Sequence, residues 1–237
     1  VNGTLNAQGT PTNKIYFTSI KDDSVGGDTN GNGNATIPAP SDYRGLYFYS
    51  GSTGNFDQGV LRYGGAYQCL GCSLNYGVIR ISGGNVNLAN SQIQSNTYGI
   101  YESSSGSLTV NASTITNNGG YGIYTSVSTS TNITVTNTAF GGHTSYDARL
   151  NGPINFINSL NTASGTTAPR GFYINGTLPA GQTWNPGIPF VPDSVTVSPA
   201  KTLTINPGTI VKFITDGFIA VNGTLNAQGT PTNKIYF

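Results

Sequence analysis

The segment YGIYESSSGSLTVNASTITNNGGYGIY covers residues 98–124, and its first four residues return unchanged as its last four. A related tetrapeptide, Tyr76-Gly77-Val78-Ile79, lies about one such interval before Tyr98, and Tyr146 follows Tyr121 at a slightly longer interval with the glycine lost. Apolar triplets with internal spacings of two and five lie between these markers: Val86/Leu88/Ile93, Leu108/Val110/Ile115 and Ile133/Val135/Phe140. Residues two apart share one face of a strand, and the step of five crosses a polar turn such as Asn90-Ser91. The pattern predicts coils of about 22 residues, each with short strands separated by corners.

Such a coil cannot bury its apolar face alone, so it must stack on neighbouring coils at a spacing of about 4.8 Å. Glycine permits a positive φ at the corners, and asparagine tolerates the same region of backbone conformation. The alternative is an antiparallel sandwich, which predicts hairpins with two-residue turns and no fixed coil period. We therefore predict an all-β fold, a parallel β-helix or β-solenoid.

The composition is that of a folded, nearly uncharged β protein. The 237 residues include 10 Lys and Arg against 9 Asp and Glu, and only 8% of residues are charged. Because the net charge is close to zero, the composition does not predict a nucleic-acid partner. Hydrophobic residues make up 36% of the chain, too many for disorder, yet no run of eighteen apolar residues could span a membrane.

The first seventeen residues, VNGTLNAQGTPTNKIYF, recur without change as residues 221–237, so the repeating unit is the stretch 1–220. Diverged repeats keep only their core positions, whereas this identity includes Gln8, Thr12 and Lys14, which packing does not constrain. The simplest interpretation is a tandem array, in which the chain is one β-helix unit plus the start of the next. The alternative is a segment that was duplicated artificially.

Three further stretches suggest a family. They are LTINPGTIVKF at 203–213, VNGTLNAQGTPTNKIYFTSIKDDSVGGDTNGNGNAT at 1–36 and APSDYRGLYF at 39–48. Together with the YGIY coils, they closely resemble right-handed parallel β-helix repeat proteins of bacterial surfaces. The resemblance implies a right-handed coil and an extracellular or cell-surface location. It does not imply one activity, because that group includes adhesins, stalks and uncharacterised surface proteins.

Solenoids normally cover their end strands with a polar cap or an amphipathic helix, and the sequence shows neither. We expect an open-ended stack of roughly 8 to 10 coils per unit, about 40 to 50 Å long at the usual strand spacing. Residues 20–45 and 141–195 fit the coil pattern poorly and are predicted to form loops or protrusions. The apolar residues expected at the junctions between units are Val1, Leu5, Ile15, Phe17, Leu203, Ile205, Phe218, Val221, Leu225, Ile235 and Phe237.

Residues 28–33 fit the opening of a calcium loop, D-x-[DN]-x-[DN]-G. The candidate ligands are Asp28, Asn30, Asn32 and Asn34, with Asp22 and Asp23 just before them. Position twelve of the loop, normally Glu, is Ala39, and Asn replaces Asp at two ligand positions. The alternative is a glycine-rich loop held by Asx turns without an ion.

Cys69 and Cys72 are the only cysteines. In an extracellular protein they are expected to form a local disulfide that fixes one corner. Zinc would need two more ligands, and the sequence has a single histidine, His143. A thioredoxin-like redox role lacks its βαβ context.

Polysaccharide cleavage is the enzymatic alternative, because pectate lyases and polygalacturonases share this architecture. Hydrolysis requires two carboxylates at a defined separation, and a lyase requires a base. The acidic residues here are scattered, without pairs at coil spacing, so we expect no enzymatic activity. Glycan binding is a separate possibility, because an exposed tyrosine stripe would suit sugar stacking, although tyrosine ladders also serve as packing. The stripe would consist of Tyr47, Tyr49, Tyr63, Tyr67, Tyr76, Tyr98, Tyr101, Tyr121 and Tyr124.

The sequence thus predicts a structural protein, an extracellular filament or surface stalk built from identical units joined end to end. Its partners would be copies of itself, through a covalent tandem array or head-to-tail association. The alternative function is that of an adhesin whose rod presents aromatic or loop surfaces to a glycan.

Overall fold

A computed structural model describes residues 1–66, 77–165 and 169–237, which form β-strands and connecting turns without a helix. The strands are β1 Thr4–Gln8, β2 Ile15–Phe17, β3 Leu46–Tyr49, β4 Thr53–Asp57, β5 Gly59–Arg62, β6 Gly77–Ser82, β7 Asn85–Ala89, β8 Gln92–Gln94, β9 Tyr98–Ser104, β10 Ser107–Asn111, β11 Thr114–Thr116, β12 Ile123–Ser126, β13 Thr131–Thr136, β14 Ala139–Gly141, β15 Ala148–Asn151, β16 Ile154–Ser159, β17 Thr162–Ser164, β18 Phe172–Leu178, β19 Gln182–Trp184, β20 Phe190–Val197, β21 Thr202–Ile205, β22 Phe218–Val221 and β23 Thr224–Ala227.

Successive strands are distributed over three parallel sheets, which we call faces 1, 2 and 3 in the order in which the chain meets them. Face 1 has the order β1-β4-β7-β10-β13-β16, face 2 contains β2-β5-β8-β11-β14-β17, and face 3 runs from β3 through β6, β9, β12, β15, β18 and β20 to β22. A smaller sheet, β19-β21-β23, extends face 1, since the Asn158 side chain of β16 donates to the Thr183 carbonyl of β19. Each of the first six turns of the chain adds one strand to each face, and the last turns add strands to face 1 and face 3. Coil 1 comprises β1–β3, coil 2 β4–β6, coil 3 β7–β9, coil 4 β10–β12, coil 5 β13–β15, coil 6 β16–β18, coil 7 β19–β20 and coil 8 β21–β22, and β23 begins coil 9.

The predicted apolar triplets occupy equivalent positions in consecutive coils. Val86 pairs with Leu108, and Leu108 pairs with Ile133. Ile93, Ile115 and Phe140 form a second such column on face 2. All of these side chains are buried in one continuous core, where each contributes about 1.5–3 kcal/mol by removal from water. The prediction of a parallel β-helix is confirmed, and the coil from β7 to β10 has the predicted length of about 22 residues.

The glycines of the Tyr-Gly markers are required because adjacent coils nearly touch there. A Cβ on Gly99 would lie 2.3 Å from the carbonyl oxygen of Gly122, and a Cβ on Gly122 would lie 2.5 Å from the carbonyl oxygen of Asp147. Both distances are far below van der Waals contact, so a side chain at either position would force the coils apart.

Left-handed residues turn the chain at the corner between faces 1 and 2. This corner residue is Gln58, Asn90, Ala112, Asn137 or Leu160 in successive coils, with φ between 48° and 55°. The residue after it points inward and bonds to the next coil. The Ser91 amide donates to Ser113 Oγ at 3.1 Å, and the Thr138 amide donates to Asn161 Oδ1 at 3.0 Å. A polar ladder thus satisfies backbone groups that the turn would otherwise leave unpaired in the core.

Ala112 is an exposed non-glycine residue at φ 48°, a conformation that costs alanine about 1 kcal/mol. We expect Ala112→Asn to raise the free energy of unfolding by up to about 1 kcal/mol, since asparagine tolerates this conformation. Chemical denaturation would measure the change. Ala89→Asn, at a strand position without positive φ, is the matched control and should have little effect. Equal effects of the two variants would contradict the proposed relief of backbone strain.

The prediction that residues 141–195 form loops or protrusions was wrong. This range contains β15 to β19 and most of β20 and begins at the end of β14, so it supplies parts of coils 5, 6 and 7. The coil length changes here, because the stretch of chain from Ala148 to its partner Phe172 is clearly longer than the stretch from Phe172 to its partner Phe190. In addition, the core uses Phe172, Trp184 and Phe190 in place of the smaller branched residues. Both changes hide the period from a search for Tyr-Gly markers.

Residues 18–45 connect β2 to β3 and contain no named strand, which leaves the range 20–45 as a long loop on coil 1. Tyr43 ties the end of this loop to the stack through a bridge to Gly64, and its hydroxyl donates to the Phe17 carbonyl. Across the described parts of the chain, no helix is long and apolar enough to cross a membrane.

Candidate functional site at the ends of the coil stack

The two copies of the repeated sequence form the opposite ends of the stack. Residues 4–8 are β1, which pairs with β4 of coil 2 and with no other strand among the described residues. Residues 224–227 are β23, which in the same described part of the chain pairs with β21 of coil 8 alone. The same sequence is therefore covered by a following coil in one copy and rests on a preceding coil in the other.

The side chains of the two copies differ in exposure accordingly. Ala7 lies beside Phe56 of coil 2 and is 3% exposed, whereas the equivalent Ala227 is exposed. Phe17 is half-buried against the core, whereas the equivalent Phe237 is 64% exposed. The surface left open at β23 is thus the surface that coil 2 covers at β1.

The backbone shows the same difference. The Gly3 carbonyl accepts a hydrogen bond from the Thr53 amide of coil 2 at 2.9 Å. The equivalent Gly223 carbonyl has no donor among the described residues. On the other side of the same segment, the Thr224 amide is bonded to the Lys201 carbonyl of coil 8 at 2.9 Å. The last coil is therefore joined to the stack below it, and its Gly223 carbonyl lacks the donor that coil 2 supplies to Gly3.

The predicted junction residues fall into three groups. Val1, Leu5, Ile15, Phe17 and Ile235 are partly buried and pack against the core. The large apolar side chains exposed at the end of the stack are Phe218, Val221, Leu225 and Phe237, together with Ile210, Phe213 and Tyr236. Leu203 and Ile205 lie one coil further in, fully buried beneath β23, so they belong to the core and are not at the end surface.

The predicted tyrosine stripe is in part a ladder on the outer side of face 3. Register places Tyr47, Arg80, Tyr101, Tyr124, Arg149 and Tyr173 in one column. Tyr101 stacks on Tyr124 with ring centroids 5.3 Å apart, and Arg149 lies over the Tyr173 ring at 4.8 Å. Tyr101 and Tyr173 are 8% and 6% exposed, so these rings mainly pack on one another.

The other predicted tyrosines are dispersed. Tyr98 and Tyr121 contact each other next to the column, with ring centroids 5.2 Å apart. Tyr49 ends β3 and is 48% exposed, and Tyr63 lies at a corner beneath Arg62. Tyr67 and Tyr76 lie outside the described residues, as do Cys69 and Cys72.

The buried ionisable residues of the middle coils lie inside the stack. Glu102 is fully buried and accepts a hydrogen bond from the Thr131 hydroxyl, while its Oε2 atom has no partner. Burial raises the pKa of Glu102 to about 7. Burial lowers the pKa of His143 to about 4, and its Nδ1 atom accepts from the Asn118 amide at 3.3 Å. Sequence reasoning missed these residues, although Glu102 lies two residues after the core residue Ile100.

The predicted calcium ligands do not form a single group. Asp22 is bound to Arg62 at 2.6 Å. Burial alone would raise the pKa of Asp22, but hydrogen bonds from Thr18, Ser24 and Arg62 bring it below its usual value. Asp28 accepts from the Asn32 and Gly33 amides at 3.2 and 2.7 Å, a pattern of the Asx-turn kind. The described residues contain no cluster of three or more His, Cys, Asp or Glu suited to a metal, and calcium binding stays a prediction.

An open groove of about 530 Å³ lies at the corner of faces 2 and 3, beside coils 5 to 8. Tyr146 and Phe213 line it with apolar surface, and Arg170 and Lys212 contribute positive charge. Neither cation has an ion-pair partner within the described part of the chain. Such a groove could accept a ligand that has both an apolar face and an anionic group.

Comparison with known proteins adds a family match. A family model described as a right-handed β-helix region matches residues 13–168, which is well over half of the 237 residues. No curated protein and no solved structure matches the chain.

Proposed function

The chain belongs to the right-handed β-helix family, and on this basis we propose that it is a structural protein whose identical units join end to end in an extracellular filament or surface stalk. The observation that carries the proposal is the difference between the two copies of the repeated sequence. Ala7 is buried by coil 2, and its equivalent Ala227 is exposed in the same fold. Residues following Phe237 with the sequence of 18–57 would cover it in the same register.

The geometry of one unit supports this arrangement. Face 1 and its extension contain nine strands from β1 to β23, so one repeat advances the stack by eight coils. At the usual strand spacing, this is about 38 Å along the axis, slightly below the length expected from the sequence. Because β1 and β23 have the same sequence and lie on the same face, a second unit would continue the coil stack in the same register. The function of such a rod would be length and stiffness.

A chain with two consecutive copies of the unit 1–220 tests the proposal. We expect it to be longer than the single unit by about 38 Å with an unchanged cross-section, because the second unit would continue the stack. Small-angle scattering would measure both dimensions, and electron microscopy of longer arrays would give the axial repeat. A Leu225→Asp variant is the matched control, since it places a charge at the junction and should bend or separate the two units. Two globular units on a flexible connection in the unmodified chain would contradict the proposal.

A second candidate function is that of an adhesin, and the groove at Tyr146 favours it. Its aromatic side chains could stack on a sugar ring, and Arg170 and Lys212 could bind an acidic substituent. Glycan-array binding that is lost in an Arg170→Ala/Lys212→Ala variant would support this function. We propose a non-enzymatic role, because Glu102 and Asp147 are buried and Asp193 accepts the Tyr173 hydroxyl. Polysaccharide cleavage is the least favoured function.

A further inference from the structure

The chain contains seven Asn-Gly pairs, the sequence most prone to spontaneous deamidation. They are Asn2-Gly3, Asn30-Gly31, Asn32-Gly33, Asn118-Gly119, Asn151-Gly152, Asn175-Gly176 and Asn222-Gly223. In this reaction the backbone nitrogen of the glycine loses its proton and attacks the side-chain carbonyl carbon of the asparagine. A five-membered succinimide forms and ammonia leaves. Water then opens the ring to give aspartate or isoaspartate, so solvent is the only co-reactant.

A glycine nitrogen that donates a hydrogen bond in a fixed structure is held away from this attack. Four of the glycine amides have such an acceptor. The bonds are Gly33 to Asp28 Oδ2 at 2.7 Å, Gly119 to the Asn96 carbonyl at 2.7 Å, Gly152 to the Asn175 carbonyl at 2.8 Å and Gly223 to the Val197 carbonyl at 3.1 Å. Gly176 lies within β18, and a Cβ there would lie 2.4 Å from the Gly152 carbonyl oxygen. Coil stacking thus restricts the pairs that lie in the rod.

Asn30-Gly31 lies in the loop between β2 and β3 and differs from these pairs. Gly31 is exposed, and its amide has no acceptor among the described residues. Outside Gly31 and its two chain neighbours, no heavy atom lies within 4 Å of the position that a Cβ on Gly31 would occupy, and the same is true of Gly33. The Asn30 side chain makes two long hydrogen bonds: its Nδ2 donates to Thr36 Oγ1 at 3.3 Å, and its Oδ1 accepts from the Asn32 amide at 3.4 Å. The Gly31 amide is therefore exposed and unbonded, and the half-buried Asn30 side chain is held only by these two long hydrogen bonds.

We propose that Asn30 is a modification site, the first of the six Asn-Gly asparagines after Asn2 to deamidate in the folded chain, and that Asp28 protects its neighbour Asn32. Asn30 and Asn32 lie in the same loop, and each is followed by a glycine. They differ in that Asp28 accepts a hydrogen bond from the amide of Gly33 and not from that of Gly31. Asn2-Gly3 lies at the first residues of the chain, where Gly3 is exposed and its amide has no acceptor among the described residues, so the ranking applies to the six pairs that follow it.

The modification would change the charge of the protein. Lys234 is the one charged residue of 221–237, so residues 1–220 contain nine basic and nine acidic residues. Deamidation of Asn30 gives this neutral unit one negative charge beside Asp28. This consequence for a filament rests on the proposed function: every unit would gain that charge, and neighbouring rods would repel one another. The deamidation itself does not depend on filament formation.

Peptide mapping by mass spectrometry after incubation at mildly alkaline pH tests the proposal on the single chain. We expect deamidated Asn30 to accumulate about tenfold faster than deamidated Asn32, which corresponds to about 1.4 kcal/mol, the size of one retained hydrogen bond. Asn118, Asn151 and Asn222 should remain unchanged over the same time. In denaturant all seven pairs should react at similar rates.

The Asp28→Ala variant provides the decisive comparison. It removes the acceptor of the Gly33 amide without touching the coil stack, so Asn32 should then react about as fast as Asn30. Gly31→Ala should slow the reaction at Asn30 alone, because a Cβ hinders the attacking nitrogen. Reaction of Asn32 as fast as Asn30 in the unmodified chain, or no acceleration at Asn32 in Asp28→Ala, would overturn the proposal.

Discussion

Asn118→Leu is expected to lower the free energy of unfolding by about 4 kcal/mol, because it leaves buried hydrogen-bonding groups without partners. Asn118 Oδ1 accepts from the backbone amide and the side-chain Nδ2 of Asn96, both at 3.1 Å. Asn118 Nδ2 donates to the Ile93 carbonyl at 3.3 Å. Leucine has a similar volume, so the loss would come from unsatisfied polar groups and not from a cavity.

The loss should be local, because each coil contacts only its neighbours. Hydrogen exchange should show reduced protection in coils 3 to 5, which contain Asn96, Asn118 and His143. The fluorescence of Trp184, the only tryptophan, reports coil 7 and should respond less. Asn117→Gly is the matched control, since Asn117 is exposed at φ 54° and glycine accepts that conformation. Equal losses of stability in the two variants would contradict a structural role for the inner ladder.

Glu102→Gln is expected to make the protein more stable than the unmodified chain at alkaline pH by a margin that disappears in acid. The pKa of Glu102 is about 7 in the folded chain against an ordinary value of 4.5. Below the lower value the carboxyl is protonated in both states. As the pH rises towards 7, the carboxyl ionises only in the unfolded chain, so the stability falls. The complete loss is about 3 kcal/mol, and glutamine removes this dependence.

The quantity to measure is the difference in unfolding free energy between the variant and the unmodified chain, from pH 4 to pH 8. His143 has the opposite dependence, since its lowered pKa causes stability to be lost as the pH falls through about 4. That contribution is the same in both proteins and cancels in the difference. A difference that does not change with pH would contradict the burial of an uncharged Glu102. A variant that is more stable than the unmodified chain only below pH 5 would contradict the predicted direction of the pH dependence.

The sequence predicted the middle of the stack well, for a physical reason. From Val86 to Phe140 the coils are nearly equal in length and use similar apolar residues, so the stacking partners repeat at a fixed interval. Coils 6 and 7 differ in length, and their core is dominated by aromatic rings. Trp184 and Phe190 stack with centroids 4.4 Å apart, a contact between residues whose spacing matches none of the earlier triplets. Their coil positions depend on three-dimensional register that no local period reveals.

The inner polar ladders were recognisable in part. Asn96, Asn118 and His143 recur at the same intervals as the Tyr-Gly markers, but polar residues at corners normally indicate an outward turn. Only the structure shows that Asn117 points outward while Asn118 points inward. Glu102 could have been assigned to the core from the alternation in β9, where Ile100 also faces inward. The surface properties that depend on the 18–45 loop could not be derived, because no periodicity constrains a loop.

The parallel sheets have a mechanical consequence. Their hydrogen bonds run along the rod axis, so tension applied to the two ends would load the coils one after another instead of shearing a whole sheet at once. Each coil that detaches would exchange a rise of about 4.8 Å for roughly 75 Å of extended chain, at about 3.4 Å per residue. A molecule of this kind resists bending while intact and dissipates a strong pull by unravelling stepwise, without breaking a covalent bond.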